Sequence, residues 1–243
     1  MCESVRFTQV DDDEVFLGGD DRLWGAAGFL ASCFPRPSCS SSISDATSDS
    51  AADSGGAVDA VFPERVVLVG GEVAKVVAME RALLERVETL GGIELAKEVG
   101  PRLVGLVSRP NSLGNVAALA WLLRESKDHD DEMEGEVEKT VYLCSNSYHL
   151  VRILAFAQWD LVDAAREVGA RLEVVQAEDH LPPQHPPAAM FSAPLAYLRR
   201  VKHELNGLLM WQNGAYKNQD RLDDADFWTH SIISLSSSLS PSL

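Results

Sequence analysis

The middle of this chain alternates short runs rich in Val and Leu with segments whose apolar residues recur at helical spacing. The runs do not alternate cleanly between apolar and polar residues, which is typical of strands covered on both faces. Strand and helix in this order favour a parallel sheet with right-handed crossovers. We therefore predict an α/β fold, a Rossmann-like three-layer sandwich with a mostly parallel five-stranded sheet. The predicted strands are Glu14–Leu17, Val66–Val69, Leu103–Val107, Val141–Cys144 and Leu172–Val175.

The helical pattern is clearest in two segments. The first covers residues 76–90, and the pair Gly91-Gly92 is its predicted end. The second covers residues 150–168, is the longest, and ends at Gly169. Both lengths suit the crossover connections that a parallel sheet needs.

A last helix is predicted over residues 193–205, with Leu198, Val201 and Leu205 on one face. Such a stripe of apolar residues is typical of a helix that packs against a core.

The domain boundaries follow from changes in composition. Residues 14–212 form one predicted Rossmann-like domain. Residues 35–60 are rich in Ser, Asp and Gly, which indicates a disordered insertion. Residues 126–139 are predicted to be an acidic loop, and residues 213–243 a low-complexity tail.

The negative net charge of the chain limits the kinds of partner that it can bind. The sequence has 243 residues, with 37 acidic and 21 basic side chains and a formal charge of −16. Such a surface repels phosphate backbones and anionic lipids, so we predict neither nucleic acid nor a membrane as partner. The four cysteines form no CxxC pair, and we predict no metal site. The chain shows no signal-peptide pattern and no apolar stretch long enough to span a membrane, so we expect a cytoplasmic protein.

Glycine pairs follow the first two predicted strands: Gly18-Gly19 and Gly70-Gly71. In an open parallel sheet, ligands bind beyond the carboxyl ends of the strands. Glycines there let backbone N–H groups approach a phosphate closely, although a tight strand-to-helix turn is the simpler explanation for either pair alone. No dinucleotide, P-loop or nucleophile-elbow motif is present.

Two polar motifs follow the third and fourth strands. In the first, Ser112 is a predicted helix cap, and Asn111 and Asn115 either present carboxamides to an anion or only tie down the loop. The second is Ser145, Asn146, Ser147, Tyr148, His149 and Arg152.

The second motif places a proton carrier and a permanent cation at a helix start. Ser147 is a predicted cap, and His149 and Arg152 share a face of the first turn. The helix dipole and Arg152 favour an anion there, and the same positive field lowers the pKa of His149. The alternative is that Arg152 pairs with a nearby Asp and that His149 is a hydrogen-bonded core residue.

These motifs resemble those of a known family, the domain of unknown function 218 (YdcF/SanA-like) family. The stretches "FLGGDDRLWGAAGFL", "VVLVGG", "NSLGN" and "SNSYHLVR" correspond to its motifs in the expected order, over residues 14–205. Ser112 replaces the family's Thr, and Gly114 stands where a Glu is usual. The resemblance implies a Rossmann-like fold and a polar pocket, but no established reaction.

The leading hypothesis is a protein that binds a small anionic or nucleotide-like metabolite, with His149 as acid or base if it is an enzyme. S-adenosylmethionine is a conceivable ligand by fold analogy alone. One alternative is a non-catalytic interaction protein with a vestigial pocket and an unknown protein partner. Another is a phosphate-ester or glycosyl hydrolase that uses His149 with Glu178 or Asp179. The predicted ligand-binding residues are Gly18, Gly19, Gly70, Gly71, Asn111, Ser112, Asn115, Ser145, Asn146, Tyr148 and Arg152, and the candidates for catalysis are His149, Glu72 and Glu178.

Overall fold

The computed structural model describes residues 19–34, 62–109, 111–130, 139–185, 193–214 and 231–234. The predicted first strand, Gly18 and the insertion at 35–60 lie outside these residues. The helices are α1 (Gly19–Cys33), α2 (Val73–Val99), α3 (Ser112–Asp130), α4 (Ser147–Ala157), α5 (Leu161–Glu167) and α6 (Pro194–Gln212). The strands are β1 (Val66–Gly70), β2 (Leu103–Val107), β3 (Lys139–Ser145), β4 (Ala170–Gln176) and β5 (Ser231–Ser234), and 3-10 turns cover Gly100–Arg102 and Ala177–His180.

The strands form two sheets rather than one, so the prediction of a five-stranded Rossmann-like sheet was wrong. β1 and β2 pair in parallel, and β5 joins β2 antiparallel. β3 and β4 form a separate parallel pair, in register from Lys139 with Ala170 to Ser145 with Gln176. Hydrophobic periodicity reports which residues are buried, but it carries no information on which strands become neighbours. The predicted parallel pairing is therefore confirmed only within each sheet.

The first sheet is covered on both faces, as its apolar strands predicted. Leu68 of β1 packs in a core with α1 and α2, whereas its neighbour Val69 packs with α3 on the opposite face. Helix α3 also contributes Val116 and Ala120 to the core beside β3, α4 and α5. Because α1 likewise contacts both α2 and β3, these two helices connect the sheets.

Two predicted helices differ from those observed. The helix predicted at 150–168 is broken by a turn at 158–160 into α4 and α5, although Gly169, at a φ of 67°, closes it as expected. At Gly92, which has a non-helical φ of 77°, the first helical segment of α2 ends as predicted, but a second helical segment follows directly and continues to Val99.

The last helix buries a different face from the one predicted. Leu198 and Leu205 are 60% and 46% exposed, while the buried residues of α6 are Glu204 and Gly207. The helix also continues to Gln212, past the predicted end at 205. Leu198 and Leu205 thus lie on the outside, and the face that packs inward combines Glu204 and Gly207 with the apolar side chains of Leu208 and Trp211.

Two other predicted segments are partly structured. Helix α3 continues to Asp130, so the predicted acidic loop begins inside a helix, and residues 131–138 lie outside the described part. Within the predicted tail, β5 adds to the first sheet. None of the described helices is long and apolar enough to cross a membrane.

Helix α1 lies close against the turn Ala177–His180 because it carries glycines at the contact. A Cβ at Gly28 would overlap the backbone carbonyl oxygen of His180. Alanine normally favours a helix by about 1 kcal/mol over glycine. A loss of stability in Gly28→Ala would therefore be caused by the close contact with the turn. We expect its free energy of unfolding to fall by about 1–3 kcal/mol, because the turn must move. Urea denaturation measures this change.

Gly100→Ala is the matched control. The nearest atom to a Cβ at Gly100 is a side-chain carbon of Leu84 at 4.0 Å. This variant should be neutral or slightly more stable. Equal losses of unfolding free energy in both variants would contradict a close contact at Gly28.

Candidate functional site

The ends of β1 and β2 meet at the asparagine motif. The backbone N–H of Ser108 donates to the carbonyl of Gly70 at 2.8 Å, and the Ser108 hydroxyl donates to the Asn115 carboxamide oxygen. Asn111 Oδ1 accepts a hydrogen bond from the backbone N–H of Gly114 at 2.7 Å, so Asn111 caps α3. The predicted cap, Ser112, is instead the buried first residue of the helix.

The described residues of the two glycine pairs lie at the start of a helix, at the end of a strand or in the turn between the two. Gly19 begins α1, and Gly71 and Glu72 lead from β1 into α2. The side chain of Glu72 is exposed and makes no capping hydrogen bond. These positions agree with the tight-turn interpretation of the second glycine pair.

A second group of polar side chains lies at the carboxyl end of β3. Ser145 and Asn146 are fully buried, and Asn146 Oδ1 accepts a hydrogen bond from Arg22 Nε of α1. Arg22 Nη2 also donates to the hydroxyl of Tyr148 at 3.1 Å. Because Arg22 is only 3% exposed, α1 brings a buried positive charge to the start of α4.

The N-terminus of α4 is capped by a carboxylate from the turn that follows β4. Glu178 Oε1 accepts hydrogen bonds from the backbone N–H of Ser147 at 2.8 Å and from its hydroxyl at 2.9 Å. The Ser147 hydroxyl also lies 3.1 Å from the hydroxyl of Tyr197 on α6. Ser147 is thus the first residue of the helix and not its cap, and the protein's own carboxylate occupies part of the predicted anion position.

A third group of polar side chains surrounds Glu204, a buried carboxylate on α6. Its side chain is fully buried, and its Oε2 lies 3.0 Å from His149 Nδ1 and 2.9 Å from Arg152 Nε. Its Oε1 lies 3.3 Å from Arg200 Nη2. His149 is 1% exposed, so it is a hydrogen-bonded core residue, with a Glu in the place where the alternative put an Asp.

Burial and charge together fix the protonation states in this cluster. Desolvation by burial lowers the pKa of His149, the nearby guanidinium groups of Arg22 and Arg152 lower it further, and Glu204 raises it, so that the pKa falls to about 4. Burial alone would raise the pKa of Glu204, but the hydrogen bond from His149 and the two arginines keep it below its ordinary value. At neutral pH the cluster therefore holds a neutral imidazole and an ionised carboxylate.

Sequence reasoning missed Glu204, Arg200 and Tyr197, which all come from α6. One feature of the sequence marks this face: Gly207 stands in a helix interior, one turn after Glu204. A Cβ at Gly207 would lie 2.9 Å from Arg152 Nη1, so the glycine makes room for that guanidinium. A glycine inside a helix often signals such a close approach.

The predicted residues thus gather in two places, with Gly70, Asn111 and Asn115 in one and the β3–α4 junction in the other. A single cavity lined by both stays a prediction. Within the described part of the chain, no three metal-ligating side chains lie close enough together to hold a metal ion.

No protein family model, curated protein or solved structure matches this chain. The resemblance to the domain of unknown function 218 family therefore stays a prediction from the motifs.

Proposed function

We propose that the protein binds a small anionic metabolite at the carboxyl end of β3. One observation carries the proposal: Ser145 Oγ and Asn146 Nδ2 are buried, and neither has a hydrogen-bond partner among the described residues. A buried polar group without a partner costs about 1–3 kcal/mol. Such groups are rare in native proteins and call for an explanation. A ligand that accepts hydrogen bonds from both atoms would remove this cost.

The surroundings favour a negative charge on the ligand. Arg22 is bonded to the carboxamide of Asn146, so a guanidinium lies beside one of the two orphan groups. Helix α4 starts at the next residue, and its N-terminus carries partial positive charge. Nearby on the same helix, Arg152 shares a single carboxylate, Glu204, with Arg200, which leaves one formal positive charge on that trio.

Glu178 adds an acceptor to the site. Its Oε1 caps α4, whereas its Oε2 is buried and has no partner among the described residues. A ligand hydroxyl can donate to this oxygen. We therefore favour an anion that also carries hydroxyl groups, as sugar phosphates and nucleotides do.

The proposal is one of binding and gives His149 a positioning role. Its Nδ1 is already engaged in a hydrogen bond with Glu204. A general acid or base must reach the proton it transfers. Glu178 is likewise engaged in capping, which weakens the hydrolase alternative. S-adenosylmethionine was suggested only by analogy with a single Rossmann-like sheet, and we do not propose it.

Ser145→Ala tests the site, because removal of an unpartnered hydroxyl should not harm the fold. We expect the free energy of unfolding to stay the same or rise. In contrast, the rise in Tm caused by millimolar AMP or inorganic phosphate should shrink, as expected for affinity weakened about 5- to 10-fold. Differential scanning fluorimetry measures both values in one titration.

Ser108→Ala is the matched control at the end of β2. Its hydroxyl bonds to Asn115, so the variant should lose about 1 kcal/mol of stability and keep the wild-type response to the anions. The proposal fails if neither anion raises the Tm of the wild type. It also fails if Ser145→Ala retains the full response.

A further inference from the structure

A cavity of about 350 Å³ is lined by residues of α1, β3, β4 and the turn that follows β4. Its volume falls within the range of small-molecule sites, about 300–1,000 Å³. Phe29 comes from α1, Tyr142 from β3 and Glu173 from β4, and the turn after β4 adds Asp179 and His180. This cavity is distinct from the junction at Ser145 and Asn146, and its ligand is independent of the proposed anion site.

Aromatic rings form one side of the cavity. The ring centroid of Phe29 lies 5.0 Å from that of Tyr142 and 5.3 Å from that of His180. Phe29 and Tyr142 are tilted at 56°, and Phe29 and His180 meet nearly edge to face, at 75°. Aromatic faces attract cations through their electron density.

The cavity lining holds two acidic side chains, Glu173 and Asp179. Desolvation by burial lowers the pKa of His180, so the ring is neutral at pH 7 and adds no positive charge. Arg171 Nη2 lies 2.6 Å from Glu173 Oε1, but the Arg171 side chain is 59% exposed. Exposed ion pairs contribute at most about 1 kcal/mol, so an incoming cation can compete with Arg171 for Glu173.

We propose that this cavity binds an alkylammonium group, with the charge held by Glu173 and Asp179 and the alkyl part against Phe29 and Tyr142. An ammonium has three donors to share between two carboxylates, and its carbon chain suits an aromatic wall. The formal charge of −16 on the chain attracts such a cation from solution. The group belongs either to a free amine or to a lysine side chain.

The test is a titration of the full chain with n-butylammonium chloride, followed by amide chemical shifts in ¹H–¹⁵N NMR spectra. We expect saturable shifts at Gln176 and His180, and none with n-butanol, which has the same length and no charge. Glu173→Gln and Asp179→Asn should each weaken binding about threefold, and Phe29→Leu should weaken it to a similar extent, about threefold. Arg171→Gln should strengthen binding, because it removes the competing cation.

Glu94→Gln is the control for net charge. Glu94 is exposed on α2 and pairs with Lys97, so this variant makes the same charge change away from the cavity. Binding should be unchanged in this control. Equal weakening by Glu94→Gln and Glu173→Gln, equal shifts with n-butanol, or no saturable shift would each overturn the proposal.

Two further probes identify the source of the amine. A lysine blocked at both backbone ends represents a protein side chain, and 1,5-diaminopentane represents a free amine. Tighter binding of the blocked lysine supports a protein ligand, and tighter binding of the diamine supports a free metabolite. Binding of neither probe, together with a negative result for n-butylammonium, rejects the alkylammonium site.

Discussion

Replacing Glu204 with Gln is expected to lower the free energy of unfolding by about 3–5 kcal/mol, because it leaves two largely buried arginines without their counter-charge. The carboxylate is fully buried and lies within 3.3 Å of Arg152, Arg200 and His149. Gln keeps the shape and one acceptor but removes the charge. Urea denaturation followed by circular dichroism measures the change, and an unchanged m value would show that the fold remains cooperative.

Glu94→Gln serves again as the control, since it removes an exposed carboxylate from a pair with Lys97. It should cost less than about 1 kcal/mol. The double variant Arg152→Gln/Glu204→Gln should lose less unfolding free energy than the sum of the losses in its two single variants. Each single variant leaves the charge of the other residue uncompensated, whereas the double variant removes both charges. A loss in Glu204→Gln no larger than that in the control would show that α6 is not held by this cluster.

The sequence predicted the local elements well because their causes are local. The described strands β1 to β4 begin and end within two residues of the predicted ones. Gly169 ends its helix in the left-handed conformation that glycine permits. His149 and Arg152, predicted to share a helix face, both contact the same carboxylate. In each case the relevant information lies within a few residues of the chain.

The errors concern contacts between distant segments. Strand pairing depends on which surfaces α1 and α3 cover, and no short stretch of sequence encodes that choice. The inward face of α6 was missed because burial of a carboxylate is unfavourable by itself. Glu204 is stable there because of His149 and Arg152, about fifty residues earlier. A hydrophobic pattern therefore assigns Leu198 and Leu205 to the core, although both are exposed.

The lowered pKa of His149 also predicts how stability depends on pH. The folded pKa is about 4, whereas the unfolded chain titrates near 6.5, so the unfolded state binds more protons between these values. The stabilising contribution is complete above pH 6.5 and is lost as the pH falls toward 4. From the two pKa values, the loss should reach about 2 kcal/mol at pH 5 and about 3 kcal/mol at pH 4.

His149→Gln isolates this contribution, because Gln can donate a hydrogen bond to Glu204 but does not titrate. Groups outside the contacting pair of His149 and Glu204, including His180, titrate alike in both proteins and cancel in the comparison. The free energy of unfolding, measured in urea at pH 7, 6 and 5, should fall more steeply in the wild type than in the variant. The limiting difference in slope is about 1.4 kcal/mol per pH unit. Parallel pH profiles would mean that His149 takes up a proton as readily in the folded state as in the unfolded state. That result would restore His149 as a candidate acid or base.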